Sequence, residues 1–333
     1  MIVIVKKHYM ILFSVFSLMI MGQASLDIYL PAMPEMTVYF HTSAMLMQLS
    51  ITSMLFSFAF CQLFVAVLLE RIGKRRLITL SLMILTLSNL LCAITSSITF
   101  FLLFRVLTGV GAGCCNVLAR TLLIDSFEGQ QFRRYSSHLY LSWALVPMIA
   151  PAIGGYIVHY LSWQSIFFLL SLMSSSMFLL FYCYFPNGPT QPIKVNFKSA
   201  YAKYKILIEG DHKYFMHLLV CVILAFSTLI TLVQCLPFYL SDAHHYSNVE
   251  IGQVLFVIGL ATIVGVLINL RLLKKFQSST VIYAGLLLML ASSIIMLMYQ
   301  FQWATALGVF ALIGWFFILR IGVSLVLPNC QSK

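Results

Sequence analysis

Ten apolar runs of roughly 20 residues, the length that crosses the hydrocarbon core of a bilayer, follow one another along this 333-residue chain with short polar stretches between them. They lie near residues 9–31, 44–67, 77–96, 99–122, 137–159, 164–185, 214–240, 249–270, 279–299 and 303–327. In lipid, a helix satisfies its own backbone hydrogen bonds, so runs of this length and number specify an all-α polytopic membrane protein. Composition agrees: 61% of the residues are hydrophobic and 9% are charged, whereas a soluble domain is about a quarter charged.

The basic residues then give the spans a direction. Glu70-Arg71-Ile72-Gly73-Lys74-Arg75-Arg76 joins the second and third runs, and a short basic loop stays on the cytoplasmic side. Alternating the spans from there puts Lys6, Lys7, Arg133, Arg134, Lys194 to Lys213, Arg271, Lys274 and Lys275 inside. The opposite loops, near 35–43, 96–99, 159–164, 241–250 and 299–303, contain no Lys or Arg. The N-terminus is expected in the cytoplasm, and the first run is too long for a cleaved signal core of about 7–15 residues.

The longest polar stretch, 186–213, separates six expected helices (1–185) from four (214–333). Such a division is typical of transporters built from two related bundles with the substrate site between them. A second basic loop, Arg271 to Lys275, follows the second span of the second group as Arg71 to Arg76 follows the second span of the first, a weak internal repeat.

A net charge of +11 does not point to nucleic acid, because the basic residues are scattered among loops and form no continuous face. The eight cysteines show no CxxC pair and no His at ligand spacing, so neither zinc nor a disulfide framework is expected; they read as small packing residues. A membrane enzyme would need paired acids, a nucleophile with its base, or metal ligands within the spans. None is visible, and no metal or cofactor is expected.

Of nine acidic residues, Asp27 alone lies clearly within a run. An ionisable group there is costly to insert and is therefore a functional candidate, here a proton carrier; the competing reading is a wet carboxyl near the outer surface, ahead of Pro31 and Pro34. Arg105 enters the fourth run at a similar depth. It either faces the same cavity as Asp27 or snorkels outward to headgroups. Tyr29, just beyond Asp27, is a candidate cavity residue. Arg320, within the tenth run with no acid on an adjacent turn, either faces the polar cavity or is an uncorrected change in a decaying gene.

Several stretches together resemble the major facilitator superfamily. Gly73 with Lys74 and Arg75 resembles its loop signature, with Glu70 as the acid and Arg120 as the expected partner on the fourth helix; Ala66 and Glu70 stand where the family usually has Gly and Asp. Arg105 followed by Gly109 resembles its fourth-helix motif. Pro147, with Ala150-Pro151-Ala152-Ile153-Gly154-Gly155, resembles the fifth-helix motif of its antiporters, and Asp27-Ile28-Tyr29-Leu30-Pro31 resembles the first-helix signature of drug:proton antiporters. With Leu161-Ser162-Trp163 following, the resemblance is to the Bcr/CflA-type branch, exporters of bicyclomycin, chloramphenicol and similar compounds.

The resemblance implies a two-bundle transporter fold and proton-coupled efflux of small lipophilic drugs across the bacterial cytoplasmic membrane. Substrate, proton and lipid are the implied partners. The family has twelve helices, so a chain read as ten is expected to be truncated after the tenth. The alternative is therefore a transport-incompetent remnant, or a half that needs a second chain.

Overall fold

The computed structural model describes residues 2–184, 212–299 and 306–331. Among them the chain forms helices and no strands: α1 (Ile2–Asp27), α2 (Met33–Tyr39), α3 (Ala44–Ile72), α4 (Lys74–Ile94), α5 (Ile98–Ser126), α6 (Gly129–Tyr160), α7 (Trp163–Tyr184), α8 (His212–His244), α9 (Asn248–Leu272), α10 (Ser278–Tyr299) and α11 (Ala306–Gln331). Seven stretches of the described residues are helical, long and apolar enough to cross a membrane, the first running from Tyr9 to Tyr39. Shorter apolar segments, Leu145–Tyr160, Ser278–Ile294 and Leu312–Val326, lie in α6, α10 and α11. The linker expected at 186–213 falls, up to residue 211, outside the described residues.

Local chemistry explains where several helices stop. Ser43 caps α3, its hydroxyl accepting from the Leu46 N–H at 3.3 Å. Gly73 alone separates α3 from α4: its φ of 79° and ψ of 156° are open to glycine and to little else. Its N–H closes α3 on the Leu69 carbonyl, and its carbonyl accepts the Leu77 N–H of α4. The first run is not one continuous helix. It breaks at Asp27, and a short 3-10 turn, Leu30–Ala32, precedes α2, because Pro31 and Pro34 lack the N–H groups that would donate to the carbonyls four residues earlier, those of Asp27 and Leu30. In contrast, α6 begins at Gly129, eight residues ahead of the expected 137, since its first two turns, Gln130 to Ser137, are too polar to register as a span.

The helices fall into two compact units. The first comprises Met1–Val195 with the short segment Ser247–Gly252; the second comprises Asn196–Tyr246 and Gln253–Lys333. Within the first, α3 and α4 both pack on α5, α4 also on α7, and α1 on α5 and α6. Its core gathers Val15, Leu18, Met54, Phe58, Leu82 and Leu118. Hydroxyls cross the interfaces: Thr108 Oγ1 donates to Ser88 Oγ at 3.0 Å, and Thr86 Oγ1 to Ser174 Oγ at 2.9 Å. Within the second unit, α11 packs on α8 and α10, and Gly322 lies against the Gly285 carbonyl.

Small residues permit the closest approaches, as expected where lipid offers no hydrophobic drive to hold helices together. A Cβ at Gly154 would overlap the Ile28 carbonyl, and one at Gly155 would overlap the Asn248 carbonyl. Gly314 of α11, by contrast, faces open space. Gly154→Leu is therefore expected to lower the thermal unfolding midpoint of detergent-purified protein, by the equivalent of about 1–3 kcal/mol or more. Gly314→Ala should leave it unchanged or raise it. Equal behaviour of the two variants would contradict this packing.

Candidate functional site

The broken end of α1 is where the chain's polar chemistry concentrates. Asp27 is the last residue of α1 and is half-buried. The helix stops there, so carbonyls of its last turn lose their i+4 donors. Ala24 keeps one, accepting the Ile28 N–H at 3.1 Å. Ser25 is served from another helix, its carbonyl accepting Arg105 Nη2 of α5 at 3.0 Å. A cation is also well placed against the negative end of a helix dipole.

Arg105 is 0% exposed and is enclosed by aromatic faces. Its guanidinium carbon lies 4.3 Å from the Tyr29 ring centroid and 5.9 Å from that of Phe167 on α7. Among the described residues its Nε and Nη1 have no hydrogen-bond partner, so the two π faces supply much of what hydrogen bonds would otherwise give. Tyr29 is also fully buried, with its hydroxyl 2.9 Å from Ser50 Oγ of α3. Three elements thus meet at one cation, α1 through Ser25, the residue ahead of the 3-10 turn through Tyr29, and α7 through Phe167, while α3 holds Tyr29 in place through Ser50. The sequence reading offered Arg105 a cavity or the headgroups; the geometry assigns it to the interior of the unit, holding the turn that ends in Asp27. Tyr29, expected to line a cavity, serves as the plate on which that guanidinium rests.

The basic stretch forms a second cluster. Lys74, at the first turn of α4, pairs with Asp125 in the last turn of α5. Arg75 Nη2 donates to the Tyr182 carbonyl at 2.6 Å, satisfying an end carbonyl of α7. Glu70 is half-buried in the last turn of α3, and Arg120 is exposed on α5. Gly73 is the buried pivot of this turn.

The third group lies on α6. Pro147 and Pro151 both sit inside a helix that continues through them; Pro147 is half-buried and Pro151 buried. Gly154 and Gly155 lie one turn further on, against Ile28 just past the end of α1 and the segment Ser247–Gly252, which belongs to the same unit. Nearby, Asn248 Nδ2 donates to Glu35 Oε2 at 2.8 Å.

Sequence reasoning passed over Asp125, Ser25, Ser50 and Phe167. Asp125 had a signal, an acid at the expected cytoplasmic end of a span, but its partner is 51 residues away. Ser25 acts through its carbonyl and Phe167 through its ring, and neither function has a residue-type signature. In the second unit, Arg320 is buried and its Nε donates to Thr262 Oγ1 of α9 at 2.6 Å. His244 meets Tyr239 edge to face, with ring centroids 5.4 Å apart. Among the described residues no group of three or more His, Cys, Asp or Glu is placed to hold a metal ion.

Tyr29 separates the two supports of Arg105. Tyr29→Phe keeps the ring and loses the bond to Ser50, with an expected cost of about 1 kcal/mol. Tyr29→Leu loses the π face as well and should cost about 2 kcal/mol more for a desolvated cation. Thermal unfolding of the two variants is the measurement; a leucine variant no weaker than the phenylalanine variant would refute the stacking role. The Lys74–Asp125 pair is partly exposed, so a double-mutant cycle with Lys74→Gln and Asp125→Asn should return a coupling below about 1 kcal/mol.

The chain is 32% identical over 177 residues to the Bacillus subtilis protein named uncharacterized MFS-type transporter YdgK, covering 53% of this chain and 44% of that one. It is 24% identical over 288 residues to multidrug resistance protein MdtL of Shewanella sp. (strain ANA-3), covering 86% and 72% of the two chains. Against MdtL of Salmonella paratyphi C it is 25% identical over 233 residues, covering 70% and 58%. The matches therefore span from under half to about three quarters of these relatives. Among solved structures, the D-xylose-proton symporter superposes with a TM-score of 0.75 at 13% identity, over 97% of this chain and 82% of that one. A bacterial homolog of the human lysosomal transporter Spinster, inward-facing and occupied, gives 0.73 at 14% identity, over 98% and 74%. The model of the Major Facilitator Superfamily matches residues 12–332, and the chain belongs to that family.

Proposed function

We propose that this protein exports small lipophilic drugs across the bacterial cytoplasmic membrane in exchange for protons, with Asp27 as the proton carrier. The observation that carries the reading is the position of Asp27: a half-buried carboxyl at the broken end of α1, inside the first apolar span, two residues from the carbonyl that Arg105 holds. A carboxyl fixed at such a break is able to bind a proton in one state of the transporter and release it in another. Substrate and proton drive exchange only if they stabilise the two states differently. The relatives named for multidrug resistance support drug as the substrate class. The resemblance of the α6 proline and glycine pattern to the fifth helix of antiporters supports exchange.

The proposal includes the membrane arrangement: a cytoplasmic N-terminus, a first bundle at 1–185, a linker at 186–213 and a second bundle at 214–333. Glu70, Gly73, Lys74, Arg75 and Arg120 form its inner conformational loop, and Pro147, Pro151, Gly154 and Gly155 its antiporter helix motif.

Two experiments test it. In an exporter-deficient bacterial strain, the chain is expected to raise the inhibitory concentration of chloramphenicol-like compounds, and Asp27→Asn to abolish both resistance and drug-induced proton release from everted vesicles. Unchanged release in the Asn variant would refute the role of Asp27. For topology, single cysteines replace Thr190 or His245 after the native cysteines have been removed. A maleimide that cannot cross the membrane should label the second on intact cells and not the first; the reverse pattern would overturn the orientation.

A further inference from the structure

Two of the buried thiols are not isolated packing residues. Cys61 of α3 and Cys114 of α5 place their sulfurs 3.0 Å apart, both as free thiols with exposures of 7% and 4%. They lie near the middle of the candidate spans Ala44–Ile72 and Ile98–Ser126. The backbones are drawn together at this level: a Cβ on Gly113, the residue before Cys114, would lie 2.6 Å from the Phe58 carbonyl oxygen, one turn before Cys61. A disulfide requires close backbones and sulfurs at about 2.05 Å. The observed pair is about 1 Å outside that length.

We propose that Cys61 and Cys114 form an oxidisable dithiol that hydrogen peroxide converts into a disulfide fastening α3 to α5. One thiolate attacks a peroxide oxygen and the O–O bond breaks, giving a sulfenic acid and hydroxide, which takes up a proton to become water. The second sulfur then attacks the sulfenic sulfur; the S–O bond breaks, the S–S bond forms, and a second water leaves. Two thiols and one hydrogen peroxide become one disulfide and two waters, with two electrons passing from sulfur to peroxide. Burial keeps charged reagents out, so the oxidant must be small and uncharged, which hydrogen peroxide is. The same burial makes solitary thiols unreactive, and Cys92, which lies beside Thr108 and Arg105, provides the internal comparison.

The test uses the full chain in native membranes. After treatment with hydrogen peroxide, remaining thiols are alkylated under denaturing conditions and the protein is digested for mass spectrometry, with and without reductant. The expected result is a linked Cys61–Cys114 peptide that disappears on reduction, and parallel loss of alkylation at those two positions while Cys92 stays fully alkylated. Cys61→Ser and Cys114→Ala should each abolish the linked peptide; Cys92→Ser should not. Unchanged alkylation of Cys61 and Cys114 in the unsubstituted chain would overturn the proposal, whether or not the variants fold. So would oxidation of one of them to sulfinic acid with no linked peptide. Neither result bears on whether the protein exports drugs.

Discussion

A helix that ends within a membrane leaves carbonyls with no water to accept from, and much of the first unit is arranged around that constraint. The break at Asp27 is set by the prolines that follow it, and its consequence is met by a side chain from another helix. Arg105 reaches the Ser25 carbonyl, and a guanidinium fully removed from solvent then needs its own support. It obtains that from the rings of Tyr29 and Phe167. Ser50 fixes the Tyr29 hydroxyl, so a carboxylate of interest, a helix break and a buried cation are one connected structure.

Close backbone packing makes that connection possible. Gly154 lets α6 press on the Ile28 carbonyl immediately after the break, and the glycines of α5 let α3 come near enough for Cys61 and Cys114 to approach. In lipid there is no hydrophobic gain from bringing two apolar helices together, so the short distances must come from van der Waals contact and polar pairs. The hydroxyl bonds of Thr86 and Thr108 to neighbouring helices are of the second kind. Large side chains instead cover the outer faces: Phe56, Phe60 and Phe64 are exposed along α3, as suits a surface in contact with acyl chains.

The basic turn between α3 and α4 works differently because its groups are near water. Lys74 and Arg75 each hold the end of another helix, one through Asp125 and the other through the Tyr182 carbonyl. Gly73 lets the chain reverse within a single residue, so both bases enter α4 at its first turn. Such pairs are individually weak where they are exposed.

The all-helical class was legible in the sequence, because the length and spacing of apolar runs leave a bilayer protein no other way to satisfy its backbone. Asp27, Arg105, Gly73 and the α6 glycines were also legible, since a charge in an apolar run or a glycine in a tight place is unusual in itself. The tertiary structure decided what each one touches. Nothing local in the sequence says that Arg105 serves the Ser25 carbonyl 80 residues away, that Lys74 meets Asp125 across 51 residues, or that Cys61 faces Cys114 across 53 residues. Carbonyls, ring faces and thiols have roles fixed only by what packs against them. The sequence determined which groups would be costly to bury; the packing of helices distant along the chain determined how each was accommodated.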